Sequence, residues 1–407
     1  MTLNDPIEVS FQLQMELNRI LDYWKNTTKD LDHGGFVGRI DHNNKIVEKA
    51  PKGVILNTRI LWSFSRANNF FQDNRYDAEC QIAFDYLYDY FRDKKSGGVF
   101  WEVDHTGKPS NKRKQVYAQA FCIYSLAEYH KYSANTKALN WAKEIYALLE
   151  EHSYDMELGG YIEAFDENWN SIEDLRLSEK EVNAPKTTNT HLHVLEAYTT
   201  LYEVTNEEKV KNSLERLYDL FLNRIFLKNN HLDLFFTNDW KSLSPEISYG
   251  HDIEAAWLLL VGARTINNKP LIEKTETLLI KVTNTFIAEA LDKDFGVFNA
   301  QDTLTRELDA DKHWWPQAEA MVGLVHAWHL SHDDAYFNTA LKIWGFTKKH
   351  IIDHENGEWF FRVDSNGKSY TSEDKVGPWK CPYHNSRAMI EVITKINEKR
   401  LENPLNS

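Results

Sequence analysis

The run Ile247-Ser248-Tyr249-Gly250-His251-Asp252-Ile253-Glu254-Ala255-Ala256-Trp257-Leu258-Leu259-Leu260 passes from polar residues directly into an apolar helix. A helix that is apolar all round is enclosed by its neighbours and reaches open space only at its ends. We therefore expect the polar side chains at this helix start to face a bound molecule.

The same construction recurs along the chain. Polar, aromatic or histidine residues open further apolar helical runs at 57–59, 117–119, 189–193, 313–317 and 382–385. Six such helix starts predict a ring of helices whose beginnings converge on one pocket.

A second repeated element is a short alternating segment with a turn, spaced at intervals of roughly 60 to 70 residues, in the range of supersecondary arrays. Its copies lie at 34–41, 97–104, 159–166, 231–236, 295–300 and 357–364. Asp, Asn and Gly supply turn chemistry between β-prone residues, as in Asp104-His105-Thr106-Gly107-Lys108. We expect small hairpins in loops at these positions.

The helices on either side of each hairpin differ in character. Before it lies an amphipathic pattern, as at 76–91, where apolar residues step by three or four with charged residues between them. After it comes a helix apolar nearly all round, as at 116–129. The first kind suits an outer layer and the second an inner layer.

This alternation predicts an all-α fold, an (α/α)6 barrel of six helical pairs with short β-hairpin loops at the active-site end. No linker or low-complexity segment divides the chain, so we expect one domain over residues 1–407. The tails, 1–5 and 403–407, are expected to be unstructured.

The composition of the chain limits the classes of molecule that it is expected to bind. The 47 basic and 61 acidic residues give a net charge of -14, which disfavours nucleic acid and anionic membranes. The three cysteines are widely spaced and suggest neither a disulfide framework nor a structural zinc site. Without a signal sequence or a membrane-length apolar run, the expected location is the cytoplasm.

Histidines at the helix starts are the chemical candidates, because their pKa lies near neutrality and suits proton transfer. These are His193, His251 and His384, although each alone could be structural. His191 and His193 are two apart on a helix and cannot share a face, so only one can point inward. Glu254, three residues after His251, could orient that imidazole or bind a ligand hydroxyl.

Arg59 lies within an apolar helix, where a permanent cation needs an anionic partner. That partner could be a protein carboxylate or negative charge developing on a substrate oxygen. Tyr117, Trp314, Trp315 and Trp379 could stack on sugar rings or pack in the core. No nucleotide-binding or HExxH motif is present, which favours cofactor-free and metal-free acid-base chemistry.

These segments resemble the N-acylglucosamine 2-epimerase family, and among its members the disaccharide enzymes most. The resemblance covers about residues 32–391. It rests on LNTRILW at 56–62, QVYAQAF at 115–121, NTHLH at 189–193, SYGHDIE at 248–254, HWWPQAE at 313–319 and KVGPWKCPYH at 375–384.

The resemblance implies an (α/α)6 barrel and reversible epimerisation at C2 of a reducing-end glucose, with a small sugar as the partner and a monomer or weak homodimer as the assembly. It implies that His251 and His384 are the acid/base pair, His193 a third essential histidine and Arg59 the group bound to the enediolate. Sugar would be held by Tyr117, Asn189, Glu254, Trp314, Trp315 and Trp379.

Other functions remain open. Monosaccharide epimerases acting on mannose, glucose or N-acetylglucosamine need the same histidines. A glycoside hydrolase on the same barrel would need two carboxyl groups, for which Asp252, Glu254 and Glu319 are candidates. A sugar-binding protein would use the aromatic residues but has little use for the histidines and the buried arginine.

Overall fold

Helices in two layers make up most of residues 5–402, the part of the chain that the computed structural model describes. The outer helices are α1 (Pro6–Thr27), α3 (Asp77–Tyr86), α5 (Thr136–Leu148), α7 (Glu208–Leu220), α9 (Lys269–Glu289) and α11 (Asp334–Phe346). The inner helices are α2 (Val54–Phe71), α4 (Val116–Ser133), α6 (Thr188–Thr205), α8 (Tyr249–Thr265), α10 (Trp314–Ser331) and α12 (Tyr383–Glu402). Four outer helices continue into one π-helical turn, at Leu87–Phe91, Leu149–Ser153, Phe221–Ile225 and Thr347–Ile351.

The inner helices form a closed ring, because each packs against the next and α12 returns to α2. In α4 every residue from Val116 to Tyr129 is buried, whereas α7 buries one face through residues such as Val210, Leu214 and Leu217. The predicted (α/α)6 barrel is confirmed. The tails expected to be unstructured lie outside the described residues, except for Asp5, whose carboxylate caps α1 by accepting from the Ile7 amide.

Short strands join the helical pairs. They are β1 (Lys52–Gly53), β2 (Glu102–Val103), β3 (Pro109–Asn111), β4 (Lys114–Gln115), β5 (Ala164–Phe165), β6 (Lys186–Thr187), β7 (Phe235–Phe236), β8 (Glu246–Ser248), β9 (Ala300–Asp302), β10 (Leu308–Asp309), β11 (Lys312–His313) and β12 (Arg362–Val363). Each strand that precedes an inner helix pairs antiparallel with the following loop: β1 with β2, β4 with β5, β6 with β7, β8 with β9 and β11 with β12. An isolated β-bridge between Ile40 and Val376 joins the first hairpin loop to the segment before α12.

The predicted hairpins are confirmed in all six loops. Two are ladders, β2 with β3 and β9 with β10. The others are single bridges, Ile40 with Ile46, Phe165 with Ser171, Phe236 with Ser242 and Val363 with Ser369. These hairpins stand at the end of the barrel where the inner helices begin.

An ion pair with a buried lysine links most hairpin loops to the segment before an inner helix. The pairs are Lys52 with Asp30, Lys114 with Asp93, Lys186 with Asp155, Lys312 with Asp292 and Lys375 with Asp353. In the fourth repeat the equivalent positions hold two apolar residues, Leu227 and Ile247, so this ion pair is absent there.

Within residues 5–402, every helix falls short of the length and apolarity that a bilayer crossing requires.

Candidate active site

A cavity of about 320 Å³ lies at the end of the barrel where the inner helices begin. All ten predicted site residues line it: Arg59, Tyr117, Asn189, His193, His251, Glu254, Trp314, Trp315, Trp379 and His384. They meet because the inner helices start side by side and each carries its polar residues in its first turns. Their roles in a reaction stay predictions.

His193 and His384 are each anchored by a buried carboxylate. Nδ1 of His193 lies 2.9 Å from Oε2 of Glu196, and Nδ1 of His384 lies 2.7 Å from Oε1 of Glu319. Because a carboxylate only accepts hydrogen bonds, we assign the proton in each ring to Nδ1. Nε2 is then the nitrogen left to meet a ligand.

His251 is held differently, since its Nδ1 lies 2.7 Å from the Ser248 hydroxyl, which can donate or accept. Ser248 therefore supplies the hydrogen bond to this imidazole, whereas Glu254 forms an ion pair with Arg387. Burial lowers the pKa of His251 to about 4, although Glu254 opposes the shift. Burial also lowers the pKa of His384 well below its usual value. Both rings are neutral bases at neutral pH.

The structure separates the two neighbouring histidines of α6. His193 lines the cavity, whereas Nε2 of His191 accepts a hydrogen bond of 2.8 Å from the Tyr161 amide. Equivalent bonds tie hairpin amides to Gln119, Asp252 and Gln317 on other inner helices. His191 therefore belongs to the hairpin scaffold.

Arg59 is 3% exposed, and no carboxylate within residues 5–402 forms an ion pair with it. It donates to the Tyr117 hydroxyl at 2.7 Å and lies over the rings of Phe121 and Tyr383, at 4.3 and 4.9 Å from their centroids. The protein-carboxylate alternative for this cation is excluded for the described residues. A buried cation beside a cavity is suited to an anionic ligand.

The carboxyl groups considered for a hydrolase are all occupied. Asp252 accepts from the Leu232 amide at 2.8 Å and faces His231, at 2.7 Å, away from the cavity lining. Glu254 and Glu319 share the guanidinium of Arg387. None of these three carboxyl groups is therefore free to act on a glycosidic bond.

Glu254, Glu319 and His384 also bring three possible metal-ligand atoms within 4.8 Å of one another. Arg387 already donates to both of these carboxylates, so its guanidinium supplies the positive charge at this point.

Aromatic faces and unpaired polar atoms complete the cavity. Trp315 and Trp379 are partly exposed, while Trp314 is 3% exposed and packs on Phe361, with 4.6 Å between the ring centroids. Asn189 Oδ1, Arg59 Nε and Trp314 Nε1 are buried without a hydrogen-bond partner among the described residues. Aromatic faces beside unpaired donors and acceptors suit a polyhydroxylated ligand.

Some lining residues were not identified from the sequence. Ser178 and Glu181 come from the irregular segment between β5 and β6, which carries no helical or strand pattern. His313 stands directly before Trp314 in a helix start that the repeat had marked, and Phe361 belongs to the sixth hairpin.

The charges behind the cavity were also missed. Glu196 and Arg387 each follow a cavity histidine by three residues, as Glu254 follows His251. A permanent charge inside an apolar helix, the signal that singled out Arg59, would have identified both.

Comparison with known proteins agrees with this geometry. The sequence matches the N-acylglucosamine 2-epimerase (GlcNAc 2-epimerase) family over residues 34–388. Cellobiose 2-epimerase from Bacteroides fragilis is 41% identical over 94% of this chain and 98% of its own length. The enzyme of that name from Dictyoglomus turgidum is 36% identical over 93% and 96%. The solved structure of cellobiose 2-epimerase from Bacillus thermoamylovorans B4167 superposes with a TM-score of 0.91 at 36% identity, covering 95% of this chain and 99% of that one.

Matches of this extent, over a barrel whose cavity gathers the histidines and the arginine, establish that the chain belongs to the N-acylglucosamine 2-epimerase family.

Proposed function

We propose that this protein is a carbohydrate epimerase that interconverts glucose and mannose at the reducing end of β-1,4-linked disaccharides by inverting C2. Inversion through proton transfer needs two bases on opposite sides of one carbon. The observation that carries the proposal is the placement of two histidines from separate helices around one tryptophan. Trp315 of α10 contacts His251 of α8 and His384 of α12, with ring centroids at 4.7 and 5.7 Å.

The C2 proton becomes acidic only when C1 is an open-chain aldehyde, so the sugar ring opens first. One histidine then takes the proton from C2, and the electrons of the C–H bond form an enediolate with negative charge on O1. The other histidine takes up a proton from solvent and donates it to the opposite face of C2 while the C1 carbonyl re-forms, and the first histidine releases the C2 proton to solvent. His193 stands beside Tyr117, at 5.0 Å between centroids, and is available for proton transfer during ring opening.

Arg59 stabilises the enediolate. Its guanidinium has no carboxylate partner among the described residues, so its charge is available to an oxygen that becomes anionic only during the reaction. The amino-terminal ends of the inner helices add positive potential on the same side.

The relatives named cellobiose 2-epimerase support a disaccharide as the substrate. The partly exposed rings of Trp315 and Trp379 offer surface for a second sugar. Each good aromatic contact contributes about 1 kcal/mol by analogy with aromatic pairs, enough for a several-fold preference.

Incubation with cellobiose followed by carbohydrate chromatography tests the reaction. We expect 4-O-β-D-glucosyl-D-mannose as the new product. Release of glucose would identify a hydrolase, and an unchanged sugar would identify a binding protein.

Competition between cellobiose and mannose tests the substrate class. We expect a higher kcat/KM for cellobiose than for mannose. We expect Trp379→Ala to reduce this difference, chiefly by lowering kcat/KM for cellobiose. A clear preference for mannose would assign the protein to the monosaccharide epimerases.

The remaining expectations stay predictions: one catalytic domain over residues 1–407, a cytoplasmic location, a monomer or weak homodimer, and a reaction without metal or cofactor.

A further inference from the structure

Arg387 lies at the point where four inner helices meet behind the cavity. It follows His384 by three residues on α12 and is 1% exposed. One terminal nitrogen donates to Glu196 of α6 and to the Tyr383 hydroxyl, and the other donates to Glu254 of α8 and to Glu319 of α10, the last at 2.7 Å. One guanidinium therefore joins α6, α8, α10 and α12.

Two of these carboxylates are the ones that hold histidines. Glu196 uses one oxygen for Arg387 and the other for Nδ1 of His193. Glu319 uses the same oxygen for Arg387 and for Nδ1 of His384, while its second oxygen accepts from Trp257 at 3.2 Å. The orientation of each carboxylate, and so of each imidazole, depends on the same guanidinium.

The charges explain why this position requires an arginine. Three buried carboxylates converge here, each at most 3% exposed by side chain. Within residues 5–402, Arg387 is the only lysine or arginine that forms an ion pair with these three carboxylates. Without Arg387 they would have no permanent cation and would turn to the remaining donors, the histidines. A lysine ammonium keeps the charge but lacks the planar fork that holds several carboxylates at once.

We propose that Arg387 is a positioning residue that fixes the orientation and proton placement of His193 and His384 together, through Glu196 and Glu319. This rests on the proposed function only in that the two imidazoles serve in the reaction. The positioning itself is a property of the ligand-free protein.

A second cavity makes the proposal testable by chemical rescue. It has a volume of about 160 Å³, and Arg387 and Glu196 are among its lining residues. Lys131 and Glu203, which also line it, have side chains 39% and 31% exposed, so the cavity reaches solvent. A small cation can therefore enter the space that truncation of Arg387 leaves.

The experiment compares Arg387→Ala and Arg387→Lys with two single-link variants, Glu196→Gln and Glu319→Gln. Imidazole ¹⁵N and ¹H NMR of the ligand-free proteins reports which ring nitrogen carries the proton. We expect both Arg387 variants to alter the signals of His193 and His384 together, whereas Glu196→Gln alters mainly His193 and Glu319→Gln mainly His384.

Activity gives the second readout. Loss of positioning is expected to lower kcat of Arg387→Ala by about 100-fold, the effect of a small misplacement in an active site. Guanidinium at tens of millimolar, far below denaturing concentrations, should raise the kcat of Arg387→Ala about tenfold. Urea, which has a similar shape but no charge, should leave it unchanged.

Unchanged signals for either histidine in folded Arg387→Lys, or equal rescue by urea and guanidinium, would overturn the proposal. If Arg387→Ala does not fold, the NMR comparison of Arg387→Lys with the two glutamine variants decides. Because the NMR readout needs no substrate, failure of this proposal is distinguishable from failure of the proposed function.

Discussion

Replacing Arg59 by methionine should separate catalysis from stability. Arg59 is buried, and no carboxylate in the described part of the chain pairs with it. Arg59→Met therefore leaves no charged partner behind, and methionine fills most of the vacated space. We expect activity to collapse while the fold is nearly unaffected.

The magnitudes follow from the contacts. Loss of one preorganised group that stabilises a developing oxyanion lowers kcat by about 100- to 1000-fold, or roughly 2.7–4 kcal/mol. For stability, relief from burying an unpaired cation is worth roughly several kcal/mol. The lost contacts with Phe121 and Tyr383 cost about 1–2 kcal/mol each. The two effects nearly cancel, and for a chain of this length Tm should move by no more than about 2 °C.

The assay measures kcat with cellobiose and Tm by calorimetry for the same preparations. Tyr117→Phe removes the hydroxyl that accepts from Arg59 at 2.7 Å but keeps the charge, so it should lower kcat by less than about tenfold. Arg387→Met is the stability control, because it strips three buried carboxylates of their cation and should lower Tm by several degrees. Activity of Arg59→Met within about tenfold of the parent, or a Tm loss like that of Arg387→Met, would refute the reasoning.

Three further predictions follow. His191→Leu should keep kcat but lower stability by about 1–3 kcal/mol, because the buried Tyr161 amide loses its acceptor, whereas His193→Gln should lower kcat with little effect on stability; equal activity losses would contradict this assignment. Lys114→Met should destabilise by about 3–5 kcal/mol by leaving Asp93 buried without its cation, and adding Asp93→Asn, which removes the charge but keeps an acceptor for the Lys95 and Ser96 amides, should recover most of it in denaturant titrations. The pKa of His251 is about 4, below the value of about 6.5 for a histidine in an unfolded chain, so the unfolded state binds more protons between these two pH values. The free energy of unfolding should therefore decrease as the pH is lowered from about 6.5 to about 4, and His251→Asn should make this decrease smaller.

The sequence sufficed for the architecture because the evidence for it is repeated. A single polar helix start such as that at Tyr249 is ambiguous, but six at similar spacing point to a ring. The cavity lining was also largely predictable, because inner helices that begin together bring their first turns together.

Contacts between distant residues were harder to predict. Spacing alone indicates that Glu254 could orient His251, but the hydrogen bond to this imidazole comes from Ser248, and Glu254 forms an ion pair with Arg387. The two histidines of α6 could be recognised as facing different ways, yet only the position of the Tyr161 amide shows that His191 is the one bound to the scaffold.

The central claim is that a proton leaves C2 to one base and returns from another. Turnover of cellobiose in deuterium oxide, followed by NMR of the separated products, tests it most directly. A proton returned by a different histidine comes from the solvent pool, so the account predicts deuterium at C2 of the 4-O-β-D-glucosyl-D-mannose formed. Retention of the original hydrogen at C2 through complete turnover would contradict it.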